Sequence, residues 1–408
     1  MPASEPVHAG LRRRLTLPLL TFYGLGTIVG AGIYVLIGAV AGRAGLYAPM
    51  AFLLSALIAA LTAHSYAELS ARFPKSAGEA VYVREGFGSP FLAGMTGIAV
   101  IVTGVVSAAT IANGFAGYLG VFVDYPTWLV IVTFTVVLCA IATWGILQSV
   151  MIATVITLMS IAGLLVVVSL AIDSLSTIDA NWQRLLPPFE LGVWTGITFG
   201  AFLAFYAFIG FEDMVNVAEE VKDPRRTLPL AIYLALILAA FLYVLVALVA
   251  VLSLDVESLA TSEAPLVDVV AAAGNADAGP MIAVFSLLSV TNSALAQIIM
   301  ASRIIYGMSR DGALPAWFAS VSAKTNTPIR ATLFTGFVVT LFALALPLVT
   351  LAEITSFIIL GVFTLVNASY FRLRLRARSD NRIAILPLVA IALCVFLLAV
   401  QSYVRLVS

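Results

Sequence analysis

Eleven stretches of apolar residues, each long enough to cross a lipid bilayer as a helix, follow one another along the chain with most of the charge confined between them. The first runs from Leu15 to Val40 and the second from about Ala48 to Ala67. Three more cover about 90–119, 127–145 and 150–172, the last two joined by a tight polar turn at Gly145 to Ser149. A loop from Asp173 to Glu190, with Pro187 and Pro188, leads into a sixth at about 193–217. The others fall at about 228–253, 280–308, 330–349, 351–371 and 383–404. Between the seventh and eighth, Leu254 to Ala278 carries Asp255, Glu257, Glu263, Asp268 and Asp277 and reads as a folded loop or short helix outside the membrane.

Two of the runs are built to come apart in the middle. Gly24-Leu25-Gly26-Thr27-Ile28-Val29-Gly30-Ala31-Gly32 places four glycines at the centre of the first, and Phe205-Tyr206-Ala207-Phe208-Ile209-Gly210-Phe211-Glu212-Asp213 places a glycine and two carboxylates inside the sixth. Backbone groups freed in hydrocarbon cost several kcal/mol each, so a broken helix survives only where those groups face protein, a cavity or a ligand. Freed N–H groups at a helix start attract anions, and freed carbonyls at a helix end attract cations. Close packing of small residues is the alternative use of the glycines. Because five spans separate the two breaks, equivalent spans of the halves cross in opposite directions, the inverted-repeat arrangement of many secondary transporters.

Composition and charge narrow this further. The chain has 408 residues, is 62% hydrophobic and 10% charged, and has a mean hydropathy of +1.09, which defines a polytopic membrane protein. Cys139 and Cys394 lie inside apolar runs and the histidines are His8 and His64 alone, which argues against a disulfide framework or a structural metal. The first run is too long for a cleaved signal and lacks a small-residue cleavage pattern. Arg12, Arg13 and Arg14 before it predict a cytoplasmic N-terminus. With that start, eighteen Lys and Arg fall in inner segments and only Arg43, Arg184 and Arg405 fall outside, so the C-terminus is expected outside. The basic residues sit in short loops between spans, which sets nucleic acid aside. No zinc-ligand pair, nucleophile elbow or phosphate loop points to an enzyme.

Four stretches resemble the amino acid permeases of the amino acid, polyamine and organocation (APC) superfamily, especially bacterial relatives of the cationic amino acid transporters. They are Gly26 through Ile33; Tyr66-Ala67-Glu68-Leu69-Ser70-Ala71-Arg72-Phe73-Pro74; Phe205 through Glu212 with Ala218-Glu219-Glu220-Val221-Lys222-Asp223-Pro224-Arg225; and Ser302 through Gly312. Members usually have twelve spans, so eleven is a departure. The resemblance implies an all-α, five-plus-five inverted-repeat core of the leucine-transporter type with helices 1 and 6 discontinuous. Its parts would be a cytoplasmic segment 1–15, a first repeat 16–172, an external loop 173–191, a second repeat 192–373 holding the external segment 254–278, and a basic inner loop with the last span, 374–408. It implies an integral cell-membrane transporter of amino acids by alternating access. A sensor or channel on the same scaffold, or a transporter of an amine or polyamine, remains the alternative.

Carried over residue by residue, the resemblance places the substrate carboxylate on Thr27, Ile28, Val29, Gly30, Ala31 and Gly32 and its ammonium on the carbonyls of Ala207, Phe208 and Ile209. It makes Tyr206 an aromatic gate, a role that a large ring with few torsions and a cation–π face suits. Ser107 is a candidate for the side-chain pocket, with Thr103, Thr110 and Asn113 on the same side of the third span; packing hydroxyls explain that spacing equally. Glu212, a carboxylate deep in an apolar run, is a candidate proton carrier or cation partner, or a carboxylate held by a helix end.

Proton-coupled relatives often carry a lysine in the fifth span, and here the matching place falls on Ser160. In the eighth span Thr291, Asn292 and Ser293 stand where sodium-coupled relatives have hydroxyl ligands, so a sodium ion at Ser160, Thr291 and Ser293, a proton through Glu212, and ion-independent exchange stay open. His64 and Glu68, four apart, read as a structural pair. Glu68, Arg72, Glu219, Glu220, Arg225 and Arg310 are expected to form a charge cluster at the cytoplasmic face. Amino acid substrate and lipid are the expected partners; oligomeric state is not legible.

Overall fold

The first apolar run folds as two helices, α1 (Leu17–Ile28) and α2 (Ala31–Ala44), separated at Val29 and Gly30. In this computed structural model the described residues are 15–74, 78–144, 150–177, 183–322, 324–325, 327–377 and 385–407. Arg12–Arg14, His8, Lys75, the turn at 145–149, Arg378 and Arg382, and the side chains of Glu219 and Arg405, lie outside them.

Nine further helices continue the order: α3 (Ala48–Arg72), α4 (Gly78–Phe87), α5 (Pro90–Leu119), α6 (Thr127–Trp144), α7 (Val150–Leu170), α8 (Leu191–Ala204), α9 (Pro224–Ser253), α10 (Val256–Thr261) and α11 (Pro265–Ala272). α12 (Gly279–Arg310), α13 (Ile329–Ala345), α14 (Leu348–Arg376) and α15 (Ile385–Val407) complete it. Proline in the first turn opens α3, α5, α9, α11 and α12, where its missing N–H is not needed. Ser89 caps α5 through the Leu92 N–H at 3.3 Å, and Asp255 caps α10 through the Ser258 N–H at 2.9 Å. The acidic segment 254–278 is therefore two short helices, and they lie against α2 and α12.

Eight helical stretches among the described residues are long and apolar enough to cross a membrane; Leu17–Ile28, Thr154–Leu170 and Ile329–Ala345 are apolar but shorter. The protein is a multi-pass membrane protein. The boundary expected at 349–351 falls instead at Leu346–Pro347, since Pro347 cannot continue α13 and sits immediately before α14.

Paired helices surround the two broken ones. α3 packs on α9, α5 lies between α12 and α14, and α2 runs along α8. Small residues permit the closest of these approaches, as where α2 meets the sixth run: a Cβ on Gly32 would overlap the Cα of Ala207. The chain entering α1 is tied to the end of the sixth run by Leu15 N–H to Glu220 O at 3.0 Å and Lys222 N–H to Leu15 O at 2.9 Å. At the other end of α2, Arg43 forms an ion pair with Glu353 of α14 at 3.6 Å.

Candidate functional site

The two breaks face each other in the middle of the bundle. At the first, Val29 (φ −77°, ψ 60°) and Gly30 (φ −107°, ψ −135°) leave helical geometry, so the opening N–H groups of α2 have no carbonyl of a preceding turn to bond. At the second, α8 tightens into a 3₁₀ turn, Phe205–Phe208, then Ile209 is extended and Gly210 adopts φ +127°. A second 3₁₀ segment, Glu212–Glu220, carries the chain on to α9. Only glycine adopts that angle freely, and its missing Cβ leaves room for the Thr27 carbonyl.

Hydroxyls join the breaks. The Thr27 hydroxyl lies 2.8 Å from Gly210 O and 2.9 Å from Gly24 O. Tyr243, on α9, places its hydroxyl 2.6 Å from Ile28 O and 3.1 Å from Ala207 O, so one donor stands between a carbonyl of each break. Its ring packs edge-on to Phe52 and Phe208. Sequence reasoning did not single out Tyr243; the signal was a phenol within the highly apolar run 228–253, where a polar tip needs a buried partner.

The residues expected at the substrate are brought together around this junction. Thr27 to Gly32 and Ala207 to Ile209 form its two sides, and Tyr206, next to Ala207, has its hydroxyl 2.9 Å from Ser107 Oγ and 3.2 Å from Ser107 O. Of the polar residues along that side of α5, Ser107 and Thr110 both reach Tyr206 of the sixth run. Thr103 and Thr110 donate to Ala99 and Val106 of their own helix, and Asn113 donates to Ala109 O and across to Ala343 O. Removing only the Tyr206 hydroxyl should be mild: Tyr206→Phe is expected to cost about 1 kcal/mol of stability, whereas Tyr206→Ala, which also removes the ring, should abolish transport. Melting and uptake of the two variants side by side check this.

Glu212 is almost fully buried and accepts the Gly210 N–H on Oε2 at 2.8 Å, closing the loop of the second break on itself. The candidate ion ligands are arranged differently from the sequence expectation. Ser160 donates to Ile156 O, Thr291 to Leu287 O and Ser293 to Ser289 O, each within its own helix. The fifth-span residue that meets the first break is Thr157, whose Oγ1 fills the space beside Gly26, because three residues of helix turn Ser160 away; the Ser160 carbonyl instead receives the Tyr34 hydroxyl at 2.5 Å. Ser293 Oγ does lie against Gly30, and Asn292 is half-buried.

The charged residues correct two expectations. His64 pairs not with Glu68 but with Tyr233 of α9, Nδ1 to hydroxyl at 2.8 Å, because α9 packs along that face of α3. Among the described residues no ion pair joins Glu68, Arg72, Glu220, Arg225 and Arg310, which leaves the expected cluster a set of charges near one end of the bundle. Glu79, which the sequence reading passed over as a loop residue, is buried beside Tyr66.

Two discontinuous helices that present opposite backbone ends to each other inside a helical membrane bundle are the arrangement of the leucine-transporter fold. The chain belongs to the amino acid permease family of the APC superfamily: the family model for amino acid permeases matches residues 15–406. It is 31% identical to the cationic amino acid transporter 3, mitochondrial, of Arabidopsis thaliana over 90% of this chain and 63% of that protein. This chain thus spans less than two thirds of that relative's length. It is 27% identical to the branched-chain amino acid permease BcaP of Bacillus subtilis over 99% of this chain and 91% of BcaP. In structure it is similar to MhsT in complex with L-phenylalanine, with a TM-score of 0.65 at 15% identity over 96% of this chain and all of that one, a likeness of fold.

Proposed function

We propose that this chain is a secondary active transporter that moves a free amino acid across the cell membrane by alternating access. The observation that carries the reading is the opposition of the N–H groups opening α2 to the Ala207 carbonyl across the Thr27 and Tyr243 bridges. A zwitterion fits such a junction, its carboxylate at a helix start and its ammonium at freed carbonyls. The names of these two relatives, cationic amino acid transporter and branched-chain amino acid permease, support an amino acid. In this reading residues 16–172 and 192–373 are the two repeats, the chain crosses the membrane eleven times with its N-terminus inside, and Tyr206 gates the site. Symport and exchange both satisfy this geometry. Sodium at Ser160, Thr291 and Ser293 or a proton through Glu212 would drive symport, and exchange needs neither.

Purified protein should melt at a higher temperature with one or a few of the twenty common amino acids, because a ligand of the folded state stabilises it by mass action. The amine lacking the carboxylate and the N-acetylated acid should each fail to stabilise. In vesicles the same amino acid should drive counterflow of its labelled form. Equal stabilisation by the decarboxylated amine would overturn the carboxylate assignment, and binding without counterflow would make the protein a sensor.

A further inference from the structure

Glu79 lies on α4, the short helix that joins two spans, and is 5% exposed. Burying a carboxylate is unfavourable unless a counter-charge or several donors hold it. Among the described residues no Lys, Arg or His comes within ion-pairing distance of it. The Tyr66 hydroxyl of α3 reaches it only at 3.5 Å, the limit of a hydrogen bond. Tyr82, one turn along α4, is fully buried, packs its ring edge-on to Tyr66 at 6.1 Å, and has a hydroxyl with no hydrogen-bond partner among the described residues. That hydroxyl lies within the electrostatic reach of Glu79. A buried carboxyl beside an unsatisfied phenol is a pocket short of hydrogen-bonding atoms, and a neutral carboxyl offers both a donor and an acceptor to it.

The neighbours from other elements sharpen the case. The 3₁₀ segment after the second break contributes Asp213, which when ionised disfavours a second charge on Glu79, and beside it Glu212, held by Gly210. From α1, Tyr23 faces Asp213, with Arg303 of α12 and Glu220 beyond it. From α14, Arg372 is engaged at the far end of α4, 4.7 Å over the Phe87 ring. From α5 no charged residue stands between Pro90 and Leu119. Burial first, and then Asp213, push the Glu79 carboxyl up to about 7, against the lowering pull of its own backbone N–H and the Tyr66 hydroxyl.

We propose that Glu79 is a proton-binding residue of the transport cycle, neutral while α4 is docked on the segment that follows the second break and ionised when that contact opens to water. On opening, the carboxyl O–H bond breaks, its electron pair stays on the oxygen and the proton passes to water; closing reverses the step. The inference deepens the proposed function and rests on it for the word transport. The docking itself does not depend on that reading. Glu79 touches no substrate group, so it acts through the position of α4 and of the Glu212–Asp213 segment.

Two measurements test this. In the first, wild-type protein and Glu79→Gln are melted without ligand from pH 5 to 8.5. A carboxyl whose folded pKa is raised gives stability that is greatest at low pH and declines as pH rises from its unfolded value near 4.5 to about 7. Wild type should therefore lose melting temperature across that window, and Glu79→Gln should lose clearly less of it. Identical pH profiles would overturn the assignment whatever the protein transports. If Glu79→Gln fails to fold, Tyr66→Phe takes its place: loss of the hydroxyl that favours the charged form should move the end of the decline to higher pH, and an unmoved profile overturns the proposal.

The second measurement uses vesicles loaded and bathed with a labelled mixture of the twenty common amino acids. One proton per cycle allows about tenfold accumulation per pH unit of gradient. Wild type should accumulate label when an acid-outside gradient is imposed. Glu79→Gln should keep counterflow and lose the accumulation. Equal accumulation by both proteins overturns the proposal, and wild type without counterflow defeats the transport reading while leaving the melting test to judge Glu79.

Discussion

Gly210→Ala is expected to abolish transport and to lower the melting temperature. The residue sits at φ +127°, where any side chain strains the backbone, and a Cβ there would overlap the main chain of Thr27 rather than the end of a flexible side chain. Strain of this kind costs about 1–3 kcal/mol and forced overpacking about 1–3 kcal/mol more. The only relief is to part the two breaks, which also lengthens the Thr27 hydroxyl contact to Gly210 O, now 2.8 Å. Uptake in vesicles and melting in detergent measure the effect. An alanine variant with wild-type values for both would show that the breaks do not need their close approach.

Tyr243→Phe is expected to leave the bundle folded but to loosen the site. The phenol serves Ile28 O at 2.6 Å and Ala207 O at 3.1 Å, and a single O–H can point squarely at only one of them. Its loss costs about 1 kcal/mol, because Ile28 O keeps the Gly30 N–H at 2.7 Å while Ala207 O loses the phenol. Substrate affinity should fall, since the Ala207 carbonyl is no longer held for the ammonium, while the volume of the ring against Phe52 and Phe208 is kept. Thr27→Val removes the other bridge. If the two bridges act on the same junction, the double variant should depart from additivity by about 0.5–3 kcal/mol. Strict additivity would mean that each bridge serves its own helix alone.

The membrane class and the two broken helices were legible because each has a local cause. Apolar runs reveal spans by length, and glycines with a buried carboxylate reveal where backbone is freed, as at 24–32 and 205–213. The ion-ligand positions were less legible. Ser160 and Thr157 differ by less than one turn of α7, so a small rotation of that helix decides which of them meets Gly26. Glu79 stayed hidden for another reason. Its sequence neighbourhood is that of a loop, and its burial comes from α14 and α5, on which α4 packs, with Tyr66 of α3 and the segment after Gly210 against it, all from elsewhere in the chain. His64 was assigned to Glu68 by helical spacing, but a neighbouring helix supplied the nearer partner, Tyr233.

Three of the tyrosine bonds in the core share one property. Tyr118 donates to Tyr34 O at 2.6 Å, Tyr34 to Ser160 O at 2.5 Å, and Tyr243 to Ile28 O, so helices α5, α2, α7, α9 and α1 are stitched through main-chain acceptors. A carbonyl is the same whatever side chain its residue bears. Ile28 and Ser160 can therefore drift without loosening these joints, whereas the tyrosines cannot. Paired substitutions between relatives, which reveal contacts between two side chains, carry no trace of joints of this kind. These three cross-links between helices are thus ones that correlated change would leave unmarked.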